Sequence, residues 1–475
     1  MSSGSGNAMS TRKKIGIASC LLIGVAMVSP LAPVTVFGPV QQLTGGHMSL
    51  AFLIALIPMI FVAYVYGIFA AEFPRAGGGY TFVSKGLHPY LGFITGWVLL
   101  IDYCLVPLMS FLMVSIYFCS IFPAVNPYII RVICLALGFV INLRTIKGVA
   151  GVNNVITAVV AGIMIYFIIA GISVLSGGSA GVTFTSQAFY NPDTFSWSTI
   201  FSGAATACFA FLGFDALTTL AEDVNKPRRT LPKAMILICI IAAAFYIVSA
   251  YVAQCLYPNF NAYSSVDSAM LDPMFMAGGN VLMTMVSIGM IVAMFSVMVD
   301  VIAASSRLLY AMGREGAIPK KPFGYENPKN HVPTYNVIIL VAIFAALIWA
   351  DVNVIITMIT FGGLLAYVLV NLAAIRYFFF VKKDRKGIKV FAHFIVPLIG
   401  FLTCGYLWLS LGAAAQIFGF IWLAAGIIYL AIRTKGFRKP IAKFADEVDV
   451  ELAEQESAED KTDNTNIAAA EVAVK

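Results

Sequence analysis

Apolar stretches long enough to cross a membrane recur along almost the whole chain. Each has about 17 to 25 residues, the helical length needed to span a hydrocarbon core of about 30 Å. Of the 475 residues, 60% are hydrophobic and 11% are charged, whereas about a quarter of the residues in a soluble domain carry charge. The pattern does not alternate as in a β-barrel, so helices must satisfy the backbone hydrogen bonds. The sequence therefore predicts an all-α polytopic membrane protein.

The charges of the connecting segments predict the orientation. Lysine and arginine occur in every second loop, whereas the long loops near 177–197 and 258–278 contain neither. Because cytoplasmic loops carry the basic excess, we expect both termini in the cytoplasm of a cell that holds this chain in its membrane. The net charge of +7 is then a topology signal, and no nucleic-acid partner is expected. Residues 1–13 are expected to form a cytoplasmic segment, and the tail 434–475, acidic from Phe444 onward, is expected to be disordered.

Twelve spans are predicted within residues 14–433, among them 48–72 and 279–312, and two of the twelve are interrupted. Pro30 and Pro33 fall inside the first span, where a proline removes a helical hydrogen bond at a cost of about 3 kcal/mol. Gly213 and Asp215 interrupt the sixth. Paired interruptions at corresponding positions of two halves are typical of secondary transporters with inverted repeats. We therefore expect a five-plus-five repeat, 14–176 and 198–380, followed by two added helices within 391–433.

Interrupted helices are predicted to form a binding site. They leave backbone amides and carbonyls free near the middle of the bilayer, and the half-helix ends carry partial charge. Phe209, Phe211 and Phe295 could supply aromatic walls that attract a cation, although most aromatic residues in such a chain serve packing. The candidate substrate-binding residues are Ser29, Pro30, Leu31, Ala32, Pro33, Asp102, Phe209, Ala210, Phe211, Gly213 and Asp215.

Three carboxylates fall deep inside predicted spans, where a charge costs about 2.5–3.5 kcal/mol and needs a reason. Asp215 follows the second interruption and is expected to bind an amine or a coupling proton; the alternative is a carboxylate that caps freed amides. Asp300 lies seven residues before Arg307, so it either pairs within a network or serves as a second coupling group. Asp102 is either a binding residue or a buried polar packing residue.

Several long stretches resemble a known family. They are EFPRAGGGYTFVSKGLHPYLGFITGWVLLIDY from Glu72, FLGFDALTTLAEDVNKPRRTLPKA from Phe211 and ASSRLLYAMGREGAIPKKPFGYENPKNHVPTYNV from Ala304. With these stretches the chain resembles the amino acid–polyamine–organocation superfamily of permeases and looks most like bacterial putrescine importers. The resemblance implies a LeuT-like fold of twelve helices, alternating access, and uptake driven by a proton or sodium gradient. It also implies gating roles for Glu72 and Glu222 at the cytoplasmic side.

The first interruption departs from the pattern of amino-acid permeases in this superfamily. Those proteins usually carry Gly-Ser-Gly-Ile-Phe there, and its amides hold the substrate carboxylate. The run from Ser29 to Pro33 has no glycine, which favours an amine such as putrescine. An amino acid permease or exchanger and a nutrient sensor on a transporter fold remain alternatives. No cofactor, metal site or enzymatic activity is predicted, and the coupling ion and oligomeric state stay open.

Overall fold

The computed structural model describes residues 15–74, 78–144, 150–178, 181–314, 318–328 and 332–438, without the side chains of 150–154, Glu222 and Ala311. Within these ranges all the regular elements are helices. The α-helices are α1 (Ile17–Met27), α2 (Ala32–Thr44), α3 (Met48–Glu72), α4 (Gly78–Gly86), α5 (Pro89–Ile121), α6 (Pro127–Asn142), α7 (Ala150–Gly177), α8 (Trp197–Ala207), α9 (Pro227–Leu256), α10 (Leu271–Arg314), α11 (Lys320–Phe323), α12 (Thr334–Ala346), α13 (Val352–Ala374), α14 (Ile388–Val390), α15 (Val396–Leu409) and α16 (Ala413–Arg433).

The helices confirm the prediction of a polytopic all-α membrane protein. In the described part of the chain, nine helical segments are long and apolar enough to cross a membrane, and a tenth span results if α1 and α2 are one bent segment. Helices α6 and α12 are apolar but shorter; at about 1.5 Å per residue, neither reaches the thickness of the hydrocarbon core unaided. The total of twelve spans and the inverted repeat therefore stay predictions.

Close backbone contacts hold the bundle together. A Cβ placed on Gly67 of α3 would lie 2.4 Å from the Cα of Pro232, so α3 and α9 approach to a distance that only glycine permits. Helix α16 is fastened to α5 by two reciprocal bonds, in which the indole N–H of Trp97 and that of Trp422 each donate to the other residue's carbonyl over 2.9 Å. These contacts fix the framework around the interrupted helices.

Two elements differ from the span boundaries that hydropathy predicts. Helix α10 begins at Leu271, eight residues before the predicted start at 279, and contains non-helical backbone at Gly278 and Gly279. Glycine can adopt the positive φ of 63° found at Gly279, so α10 bends there although hydropathy shows a single apolar run. Helix α4 was not predicted because it is short and partly polar. It buries Phe82 and Val83, and the Phe82 ring stacks on Phe69 of α3 with centroids 5.0 Å apart.

Candidate functional site

The first membrane segment is broken where its prolines predict. Helix α1 ends at Met27, α2 begins at Ala32, and their axes differ by 52°. Ser29 has a φ of 57°, the left-handed conformation that L-residues rarely adopt, and its hydroxyl accepts the Leu31 N–H at 3.3 Å. Pro33 occupies the first turn of α2, where a missing N–H is tolerated. The break therefore leaves backbone carbonyls before α2 without helical partners.

The second break lies against the first. Helix α8 ends at Ala207, a 3₁₀ turn covers Cys208–Phe211, and a second 3₁₀ segment runs over Phe214–Asp223. Between them, Gly213 has a φ of 109°, and a Cβ on it would lie 2.9 Å from the carbonyl oxygen of Met27. Gly213 is thus required both for its backbone conformation and for the close approach of the two breaks.

Tyr246 of α9 joins both breaks through one hydroxyl group. Its side chain is buried, and its oxygen lies 2.7 Å from the Val28 carbonyl, 3.0 Å from that of Ser29 and 3.1 Å from that of Ala210. The single O–H donates to one carbonyl at a time. This contact, called the tyrosine clasp below, was missed by the sequence analysis, because a single tyrosine in an apolar span gives no signal of such a role.

Two of the predicted carboxylates lie within electrostatic range of each other. Asp215 lies in the 3₁₀ segment after Gly213, Asp102 lies on α5, both are half-buried, and their charges interact. Backbone hydrogen bonds at Gly213 and Asp215 reach the Asp215 carboxylate. This geometry allows the capping role as well as the binding role for Asp215, and it places Asp102 in the same polar region.

Two tyrosines interact electrostatically with this carboxylate pair. Tyr367 of α13 interacts electrostatically with both carboxylates, and Tyr66 of α3 interacts with Asp215. The Tyr66 hydroxyl is buried and has no hydrogen-bond partner among the described residues. An unpaired buried hydroxyl within electrostatic range of a carboxylate is a group for which a polar ligand would supply the missing bond. Neither tyrosine was a candidate in the sequence analysis.

The remaining candidate residues mainly provide packing. Phe211 is fully buried and packs between Phe52 and Tyr246, with ring centroids 6.3 Å and 5.6 Å away. Phe209 and Phe295 are only partly buried and pack against the core. The following candidates from the first break are buried: Pro30, Leu31, Ala32 and Pro33.

Glu72 lies at one end of the bundle, called the basic end because Arg228 and Lys382 meet there. The Glu72 carboxylate forms an ion pair with Lys382, lies 3.9 Å from an Arg228 nitrogen, and accepts the Tyr377 hydroxyl at 3.4 Å. It thereby connects the end of α3 to the start of α9 and to the segment after α13. Such a three-way contact has the arrangement expected of a gate, and the role itself stays a prediction.

The structure gives fewer contacts for the other two proposed coupling residues, Asp300 and Glu222. Asp300 is half-buried on α10, and Ser305, five residues later, donates to the Tyr103 carbonyl at 2.6 Å. Helix α10 therefore packs on the part of α5 that carries Asp102, whereas Arg307 is exposed. The side chain of Glu222 lies outside the described residues.

The segments leading to the basic end are also paired through their backbones. The N–H of Ile15 donates to the Asp223 carbonyl at 2.8 Å, and the N–H of Asn225 donates to the Ile15 carbonyl at 2.9 Å. These bonds form a short parallel bridge between Ile15 and Val224. The two broken membrane segments are therefore joined at the midpoint by the tyrosine clasp and at one end by main chain.

Helices of this length and two facing breaks define a multi-pass membrane protein with a polar site inside its bundle. A family model described as amino acid permease matches residues 15–437, and the chain belongs to that family. It is 33% identical to the low-affinity putrescine importer PlaP of Escherichia coli over 443 residues, 92% of this chain and 96% of PlaP. It is 24% identical to the branched-chain amino acid permease BcaP of Bacillus subtilis, over 88% and 92% of the chains. A methylthioribose transporter of Bacillus subtilis is 25% identical, over 87% and 90%.

Proposed function

We propose that this protein is a secondary active transporter that imports a small organic amine by alternating access, with putrescine as the favoured substrate. The observation that carries the proposal is the meeting of the two breaks beside Asp102 and Asp215. Freed carbonyls and two carboxylates make this region acceptor-rich, which suits an ammonium group and disfavours a substrate carboxylate. The similarity to a putrescine importer supports the same substrate class.

In this proposal Asp215 binds the ammonium group, while Asp102 sets the charge of the site. The unpaired Tyr66 hydroxyl supplies a further polar contact, and the aromatic ring of Tyr66 or Tyr367 offers a cation–π surface worth about 0.5–2 kcal/mol. A proton is proposed as the coupling ion, with sodium as the alternative. Asp300 is proposed as a further coupling group.

The transport cycle is proposed to use two repeats, 14–176 and 198–380, with 391–433 as added helices. The basic end is proposed to face the cytoplasm, since lysine and arginine accumulate on that side. Glu72 then closes the cytoplasmic route while its contacts with Lys382 and Arg228 are intact, and Glu222 assists there. Alternating access follows from movement of the broken segments about their meeting point.

The test is uptake of radiolabelled putrescine into proteoliposomes under an imposed proton gradient, an imposed sodium gradient, or neither. We expect saturable accumulation above equilibrium with the proton gradient, and competition by diamines. Asp215→Asn should abolish accumulation, whereas Asp193→Asn, which changes an exposed loop carboxylate, should not. Equilibration without accumulation would indicate a channel, and binding without flux would indicate a sensor; either result refutes the proposal.

An amino acid permease or exchanger is the second candidate. The similarity to BcaP over 88% of the chain favours it. In the same vesicles, accumulation of leucine in preference to putrescine would establish this candidate, and uptake only into vesicles preloaded with amino acid would identify exchange.

A further inference from the structure

The connection between α13 and α15 carries a dense positive charge at the end of two membrane-spanning segments. Residues 380–391, here called the basic hairpin, read FVKKDRKGIKVF and contain five lysine or arginine residues and one aspartate. The apolar segment before it ends at Val381, and the next begins at Ile388. The basic hairpin therefore lies at the level of a membrane–water interface.

The basic hairpin has a defined conformation. The Lys389 ammonium contacts both carboxylate oxygens of Asp384, at 2.7 Å and 2.9 Å. Arg385 donates from Nε to the Phe379 carbonyl at 2.7 Å, and its guanidinium lies 4.8 Å from the Phe379 ring centroid and 5.4 Å from that of Phe380. These contacts fix the turn and orient its remaining cations.

Only part of this charge is neutralised by the protein. Lys382 pairs with Glu72, and Lys389 pairs with Asp384. Lys383, Arg385 and Lys386 are exposed and form no ion pair with a carboxylate in the ranges that the structure describes. The basic hairpin thus keeps an excess of positive charge that an anion would neutralise.

Large apolar side chains accompany these cations. Over half of each of the following side chains is exposed: Phe380, Val381, Ile388 and Phe391. Solvent-exposed phenylalanine and isoleucine at this density are unfavourable in water but favourable against acyl chains. A free phosphate would satisfy the cations alone, whereas a phospholipid satisfies both the cations and the apolar groups.

We propose that the basic hairpin is a binding site for an anionic phospholipid. Lys383, Arg385 and Lys386 contact the headgroup, and the four exposed apolar side chains contact the acyl chains. Basic clusters immediately beside a membrane helix attract anionic lipid in this way. The site is independent of the transported substrate, because its residues do not belong to the region of the two breaks.

The experiment measures lipid binding to the purified full chain by native mass spectrometry, with phosphatidylglycerol or phosphatidylcholine added to the detergent. Lys383→Gln combined with Lys386→Gln keeps the Arg385 contacts of the turn. We expect this double variant to bind phosphatidylglycerol about 25-fold more weakly, roughly fivefold for each lysine removed from an anionic surface. Phosphatidylcholine binding should be weak and equal in both proteins.

The matched control is Lys320→Gln combined with Lys321→Gln, which removes two exposed lysines of α11. It should bind phosphatidylglycerol as the unaltered chain does. The proposal is overturned if the control loses as much affinity, if phosphatidylcholine binds equally well, or if inorganic phosphate at millimolar concentration displaces the lipid completely. A chain ending at residue 438 tests whether the acidic tail itself occupies the basic hairpin. A large gain in lipid affinity on removal of the tail would show that the tail, and not a lipid, is the natural occupant.

Discussion

The tyrosine clasp can be removed with the loss of one oxygen atom. Tyr246→Phe keeps the ring packed against Phe52 and Phe211 and deletes the hydroxyl that lies within 3.1 Å of three carbonyls. Because one O–H makes one bond at a time, the loss is that of a single hydrogen bond to a buried carbonyl, about 1–3 kcal/mol. If the breaks separate during transport, the conformation in which the tyrosine clasp joins them should become about 5- to 150-fold less populated.

Two measurements on the same preparation test this reasoning. Thermal unfolding in detergent should show a lower midpoint for Tyr246→Phe, and the initial rate of putrescine uptake in proteoliposomes should fall at least about fivefold. Tyr117→Phe is the matched control, since Tyr117 is equally buried but its hydroxyl has no partner among the described residues; it should be neutral or slightly stabilising. Unchanged unfolding and uptake in Tyr246→Phe, or equal losses of both in the two variants, would refute this role of the Tyr246 hydroxyl.

Three further substitutions test other contacts. Gly213→Ala places a methyl group 2.9 Å from the Met27 carbonyl at a φ of 109°, so we expect about 1–2 kcal/mol of backbone strain, a lower unfolding midpoint and strongly reduced uptake. Glu72→Gln removes the carboxylate at the basic end, and because such partly exposed pairs contribute at most about 1 kcal/mol, efflux from loaded vesicles should rise by no more than about fivefold. Burial raises the pKa of Asp267, so its ionised form is disfavoured in the folded state. Asp267→Asn can keep a hydrogen bond to Asn353 and should raise the unfolding midpoint at pH 7.5. This gain in stability should shrink as the pH falls towards 4, because Asp267 itself then becomes neutral.

Each of these has a contrary outcome. Gly162→Ala places its methyl group in open space and should be tolerated. An equal loss of stability and uptake in this variant would show that the close approach at Gly213 is not the cause. Glu72→Asp keeps the charge and should restore most of the retention; failure to do so would separate efflux from the ion pair. For Asp267, a midpoint difference that is constant between pH 7.5 and pH 4 would show that burial of the ionised form is not its cause.

The features that the sequence predicts well are those with local causes. The break after Met27 follows from the backbone chemistry of Pro30 and Pro33, and that at Gly213 from the conformations only glycine adopts freely. Even so, the strained residue of the first break is Ser29, not a proline. Hydropathy gave α3 its observed bounds, 48–72, because every residue of a membrane span contributes to the same signal.

The features that were missed depend on contacts between distant parts of the chain. Tyr246 meets Ser29 across 217 positions of sequence, and no local pattern marks a tyrosine for that contact. The orphan hydroxyl of Tyr66 is recognisable only once its surroundings are known. Helix α4 was missed for a different reason, since nine residues with six polar or glycine positions do not produce an apolar run.

The backbone bridge between Ile15 and Val224 makes the pairing of the two broken segments indifferent to side-chain identity. Peptide groups supply both of its bonds, so side-chain substitutions at these positions leave both bonds in place and the ends of the segments joined. Only a proline at position 15 or 225 would remove a donor N–H and so separate the two segments at this point. The connection between the two segments thus depends on the main chain and tolerates side-chain changes on either side of it.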